Sequence, residues 1–338
     1  MSSLSLQLSD AGSSQATEVI PDDISDAGTE VPMVYPVTSY LKKARLPGFY
    51  RHVRFPVEQL RRIAVWPKMP MLARTLGTRP LENVYLFRSD ALIQGTVRYI
   101  SHMPGVSIVN EEGVPQETSS KIKLANGLIV QYDHTDLDFL RNINSEDDVD
   151  WLLMNYVLPT TSEIVRLFSH LPPMCPQAES LKFQNISARH TTHHCKWDVY
   201  SMNDQFFVIF IPPWFMGKED LVKLADRGEV APGALDSLDH RAQAMDTISD
   251  KLWAVIYDVC VGRGTEFVVT NYLYWSFGRF NPENYSEAML SAPIQAELDP
   301  LDGTIMGERL VNPSVIETLV YWIQVARGAA VLVQPETP

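Results

Sequence analysis

Apolar positions along the chain recur with two periods, and the switches between them mark the predicted elements. From Ser145 the period is helical: Val149, Leu152, Leu153, Tyr156 and Val157 fall on one face. Ser145 can accept from the free amides of the first turn, and Asp148, three residues on, suits the helix dipole. A second helix is predicted after Pro159, with Ile164, Val165, Phe168 and Leu171 inside, and Pro172-Pro173 stops it. Three strand-like runs follow: Leu181–Ala188, Cys195–Met202 and Phe206–Ile211, with a tight hairpin turn at Asn203-Asp204 between the last two. Phe206–Ile211 is apolar without alternation, the pattern of a central strand covered on both faces.

A polar linker over 218–236 leads to the longest predicted helix, 239–261, whose stripe is Met245, Ile248, Leu252, Val255, Ile256 and Val259. Gly262 and Gly264 end it. Glu266–Asn271 and Tyr274–Phe280 read as two more strands, and Pro313 opens a last helix through Val325 with Ile316, Leu319, Val320 and Ile323 buried. A long helix between strands allows a parallel crossover. The order predicts an α/β fold with a mixed central sheet flanked by helices.

Ahead of residue 145 the pattern is weaker. Residues 1–35 are rich in Ser, Asp and Gly, repeat Ser-Asp-Ala-Gly at 9–12 and 25–28, and keep no apolar period, so a disordered acidic tail is expected. Residues 36–144 read as an N-terminal extension with a short helix over 57–64 after Pro56. Within it Ile122–Ala125 and Leu128–Tyr132 flank Asn126-Gly127, the residues of a type I′ turn, and predict a β-hairpin. The core is expected over 145–330, with a tail at 331–338.

Composition and charge narrow the function classes. Hydrophobic residues at 45% and charged residues at 20% of 338 residues are those of a globular chain with a sizeable core. No apolar run reaches the length of a spanning helix, and no secretory signal is predicted. Three widely spaced cysteines, Cys175, Cys195 and Cys260, argue for a reducing compartment. A soluble intracellular protein, cytoplasmic or nuclear, is the expectation, with no membrane partner. The net charge of −13 opposes a polyanionic partner unless positive charge is clustered. It is clustered once: residues 1–41 hold no Lys or Arg, and then come Lys42, Lys43, Arg45, Arg51, Arg54, Arg61, Arg62 and Lys68 against Glu58 alone. That stretch is either a solvated basic face beside the acidic tail or a patch that contacts a partner. A protein partner fits the overall acidity at least as well as nucleic acid does.

Other constellations are thinner. His190, His193, His194 and Cys195 are zinc-capable donors, but adjacent histidines on an extended segment point oppositely and no second pair stands at finger-like spacing. No Gly-x-Ser-x-Gly elbow is present, and Gly262-Arg263-Gly264 follows a helix instead of opening one. Tyr272, Tyr274, Trp275, Phe277 and Phe280 could stack on bases, although alternate residues of a strand more often face a core.

Four short segments, in order, carry a resemblance. They are Lys196-Trp197-Asp198-Val199-Tyr200, the run Phe207 to Phe210 with Ile211-Pro212-Pro213-Trp214, Gln243 with Lys251-Leu252-Trp253, and Phe267 to Thr270 with Asn271-Tyr272. Over roughly 145–330 the chain resembles the PD-(D/E)XK superfamily, and more narrowly fungal proteins of that fold. The resemblance implies a restriction-endonuclease-like core of a helix, a three-strand meander, a helix and a further strand. In active members an Asp and a Glu hold a divalent metal and a Lys steadies the attacking water or the phosphate, because hard oxygen ligands suit Mg²⁺. Asp198 fills the Asp position, but Phe210 stands at the Glu position, and the Lys position is proline or lost to a deletion. The resemblance therefore implies a pseudo-nuclease acting as a binding or scaffold protein without a cofactor. The alternatives are a Mg²⁺-dependent nuclease with relocated groups and an enzyme of unrelated chemistry on the same fold. For the relocated nuclease the candidates are Asp198 and Glu163 as weak metal ligands, with Gln243 and Lys251 beside them, and Lys218 and Glu219 within reach from the loop after the strand.

Overall fold

The run that the sequence marks as most apolar lies inside a nine-stranded sheet. The computed structural model describes residues 37–46, 50–51, 79–103, 142–143, 146–171, 175–187, 198–213, 215–231, 235, 248–298 and 313–332. These belong to one unit, Met33–Pro338. In chain order the elements are α1 (Val37–Lys43), β1 (Tyr50–Arg51), β2 (Asn83–Phe87), α2 (Ser89–Ser101), β3 (Asn142–Ile143) and α3 (Glu146–Leu152). A π-helical turn (Leu153–Val157), α4 (Leu158–Phe168), α5 (Pro176–Glu179), β4 (Phe183–Asn185), β5 (Asp198–Met202) and β6 (Phe206–Phe210) follow. The rest are α6 (Lys218–Ala225), β7 (Gly228–Glu229), α7 (Ile248–Cys260), β8 (Glu266–Thr270), β9 (Tyr274–Phe280), β10 (Glu287–Ser291), β11 (Ile294–Gln295) and α8 (Val315–Ala326).

The large sheet runs β4-β5-β6-β8-β9-β10-β2-β7, with β11 added to β9. β4, β5 and β6, which fall in the three predicted strand-like runs, pair in antiparallel order. Asn203 and Asp204 both adopt left-handed backbone, φ 53° and 52°, which matches the twist of the strands they join. β6 then pairs in parallel with β8 across the crossover carried by α6 and α7. Every residue of β6 and β8 is buried. That burial is why neither strand alternates, and each Phe or Val so placed contributes roughly 1.5–3 kcal/mol.

Helices cover both faces. The ring of Trp322 on α8 lies 6.2 Å from that of Phe277 on one face, and Trp253 on α7 lies 5.9 Å from Phe267 on the other. Ser314 caps α8: its hydroxyl accepts from the Glu317 amide at 3.0 Å, while the Glu317 side chain accepts from the Ser314 amide. Gly262, at φ 72°, ends α7, and the Arg263 and Gly264 amides return to the Cys260 carbonyl.

Three departures from the sequence reading have physical causes. The two helices expected on either side of Pro159 are continuous through the π-helical turn. Proline lacks an amide and crowds the carbonyl four residues back, and the wider turn absorbs both defects. The stretch read as a polar linker contains α6, whose buried Leu221, Leu224 and Ala225 are masked by Lys218, Glu219, Asp220 and Lys223. The third departure lies in the N-terminal extension. β2 pairs in parallel with β10 along its whole length, and α2 packs on α8, so the extension supplies a strand and a helix to the sheet. The expected acidic tail, the helix over 57–64, the hairpin over 122–132 and residues 333–338 lie outside the described residues.

Candidate functional site

Strand direction gathers the candidate site at one edge of the sheet. β6, β8, β10 and β2 all run the same way, so Phe210, Thr270, Ser291 and Phe87 end at that edge, and antiparallel β5 begins there with Asp198. In register, Asp198, Phe210, Thr270 and Trp275 form one row across four strands. Their side chains share the face of Phe277 and α8.

Asp198 is half-buried, and its Oδ1 accepts from Asn185 Nδ2 at 3.1 Å. Asn185 Oδ1 accepts from the Ser187 amide at 2.9 Å, and Ser187 Oγ from the Val199 amide at 2.7 Å. This chain of bonds fixes the end of β4 to the start of β5. It is the strand-end network that a lone acid in this position most often serves.

Phe210, opposite, is 0% exposed. Its ring offers no lone pair to a hard cation. The next residues, Ile211 and Pro212, are buried, and the Ile211 amide is bonded to the Thr270 carbonyl at 2.9 Å. Glu163, on α4, gives its carboxylate to Arg166, whose Nε donates at 2.9 Å and whose second nitrogen is also bonded to it. Among the described residues no three His, Cys, Asp or Glu side chains come together to hold a metal. A single carboxylate facing a phenyl ring is not the set of hard oxygen ligands that Mg²⁺ takes.

The turn from β8 to β9 is the most closely tied part of this edge. Asn271 Nδ2 donates to the Met216 carbonyl at 2.7 Å, and its Oδ1 accepts from the Tyr274 amide at 2.7 Å. Thr270 Oγ1 accepts from the Tyr272 amide at 2.9 Å and donates to the Tyr274 carbonyl at 3.0 Å. Those bonds, with Trp275 Nε1 on the Tyr272 carbonyl at 2.8 Å, hold Tyr272 in left-handed backbone at φ 74°. Lys218, exposed at the start of α6, sets its ammonium 5.8 Å from the centre of the Tyr274 ring. The sequence placed Thr270 and Asn271 at the end of a predicted strand and Tyr272 in the aromatic run, and joined the three as a turn only through the resemblance.

The remaining candidates are dispersed. Lys42 is exposed on α1. Arg45 turns inward, 5% exposed, with its Nε 3.0 Å from Glu297, which takes it out of any surface patch. Lys43 and Arg51 are placed by their backbone in α1 and β1, and Lys251 lies in α7. Arg54, Arg61, Arg62, Gln243 and the cluster His190, His193, His194 and Cys195 lie outside the described residues. Glu219 is exposed. Within the aromatic run Tyr272, Trp275, Phe277 and Phe280 are core residues, which leaves only half-buried Tyr274 able to meet a partner. No helix among the described residues is long and apolar enough to cross a membrane.

Compared with known protein families, with curated proteins and with solved structures, the chain finds no match.

Proposed function

We propose that this chain is a non-catalytic binding or scaffold protein built on a PD-(D/E)XK-like core, a pseudo-nuclease. The order of α3–α4, the β4-β5-β6 meander, the α6–α7 crossover and parallel β8 is the order that the resemblance implies, and it supports the fold half of this reading. The observation that carries the functional half is Phe210. It stands in register with Asp198 where a second hard ligand belongs, and it is buried in the core. A partner is more readily a protein than a nucleic acid, because a net charge of −13 repels phosphates everywhere that cations are not concentrated. Titration calorimetry with Mg²⁺ and Mn²⁺ tests the reading. No saturable heat is expected from wild type or Asp198→Ala. Saturable binding that disappears in Asp198→Ala would instead mean that the missing ligands had relocated around Asp198.

A further inference from the structure

We propose that the open edge of β2 is a docking site for an extended, basic segment of another protein, which adds to the sheet as a further strand. β2 is paired along Asn83–Phe87 with β10 on one side. On the other side, β7 reaches only Asn83 and Val84. Tyr85, Leu86 and Phe87 therefore have no ladder partner on that edge among the described residues.

The main-chain groups there have a definite direction. The Asn83 amide donates to the Ser286 carbonyl on the β10 side, while the Glu82 carbonyl accepts from Val230 on the β7 side. Alternation along the strand then turns Val84 toward β7 and the Leu86 amide and carbonyl outward, past the end of β7, where no described residue is laddered to it. Side chains flank this pair on both faces. Tyr85 is 52% exposed and Leu86 is 53% exposed. Neither lysine nor proline stands at this edge, although those residues commonly guard edges. An incoming strand covers both apolar side chains while it bonds to Leu86, the mode in which main-chain bonds supply affinity and side-chain positions supply specificity.

Charge selects the occupant. Glu82, Asp226 and Glu229 are exposed around the β7 end of the edge, and none has a cationic partner among the described residues. The nearby arginines are already engaged: Arg227 with Asp250 at 2.7 Å, and Arg88 with Asp90 at 3.0 Å. Among the described residues, three exposed carboxylates at this lip stand against one exposed lysine, Lys223 of α6, so the lip is acidic and favours a strand with lysine or arginine at the end that lies beside β7. A second copy of this acidic chain is the less suited occupant. The site lies at the opposite margin of the sheet from Asp198 and does not depend on how that residue is read.

The test is selection of a displayed library of random twelve-residue peptides against the full chain, followed by titration of the synthetic winners. Enrichment of alternating β-branched or aromatic residues with a flanking Lys or Arg is expected. Affinity should fall at least about tenfold with Leu86→Lys, which removes an apolar contact and sets a like charge against a basic peptide, with Glu229→Lys, which reverses a charge pair, and with N-methylation of the peptide at alternate residues, which removes main-chain bonds. N-methylation leaves the protein unaltered, so a folding defect in a variant cannot imitate the result. Three outcomes overturn the proposal: no peptide above background, winners that are acidic or indifferent to N-methylation, or a dimer in sedimentation that Leu86→Lys dissociates, which would make a second copy the occupant.

Discussion

Asp198 faces Phe210 across the β5–β6 ladder, and the one polar contact described for its carboxylate is Asn185, 3.1 Å away. An acid so placed has a structural use that needs no metal. Asp198→Ala should therefore destabilise the fold by only about 0.5–1.5 kcal/mol, the net worth of one hydrogen bond. Urea denaturation with an unchanged slope checks this. A much larger loss would mean that Asp198 supports more than the junction of β4 and β5.

A second acid carries far more weight. Arg79 meets Asp258 of α7 through Nε at 2.9 Å and the terminal nitrogen at 2.6 Å, with the side chains 2% and 4% exposed. The guanidinium also donates to the Leu235 carbonyl at 2.7 Å. Asp258→Ala takes the carboxylate from the buried Arg79 guanidinium and should cost about 3–5 kcal/mol, whereas replacing both residues by apolar ones of similar volume should cost much less. Comparison of the single and double variants by denaturant midpoint separates the two.

The two described cysteines should differ sharply in reactivity. Cys260 is fully buried, and desolvation first, with the Glu266 carboxylate second, holds its thiol well above the ordinary range. Cys175 is half-buried beside α5. Since the thiolate is the nucleophile and each pKa unit removes tenfold of it, iodoacetamide at about pH 8 should label Cys175 at least about tenfold faster. Peptide mapping by mass spectrometry reads the ratio, and unfolding the chain should erase it.

Alkaline pH should weaken the packing of α2 on α8. Burial pushes the Tyr99 phenol up to about 12, with Gln324 and Arg327 of the α8 terminus acting in the opposite direction. An unfolded tyrosine titrates at about 10. A raised folded value means that the contribution is complete below about pH 10 and is lost as pH climbs through about 12. Tyr99→Phe should flatten that fall without abolishing it, because Tyr285 and Cys260 are raised as well. Denaturant midpoints measured across this range in both proteins provide the check.

What the sequence made legible is the part where periodicity and burial agree. Phe206–Phe210 has no polar position because both faces of β6 are covered, and Asn203-Asp204 is a turn because it tolerates positive φ. Phe210, where the resemblance implies a glutamate, is buried, as the apolar run around it predicts. α6 was hidden because three buried residues among eight, in a charged setting, leave a weak stripe. β2 was hidden for another reason. Asn83-Val84-Tyr85-Leu86-Phe87 exposes two apolar residues, so its pattern does not announce a strand, and its partner β10 lies two hundred residues away. The inward turn of Arg45 depends on Glu297, a long-range pairing that no local pattern encodes.

A cleavage assay on pooled single- and double-stranded DNA and RNA with Mn²⁺, running wild type beside Asp198→Ala, separates a pseudo-nuclease from a nuclease. A pseudo-nuclease shows no cleavage above that of the variant. Metal-dependent cleavage by wild type that Asp198→Ala abolishes would contradict it, and would make this edge of the sheet an active site with relocated ligands.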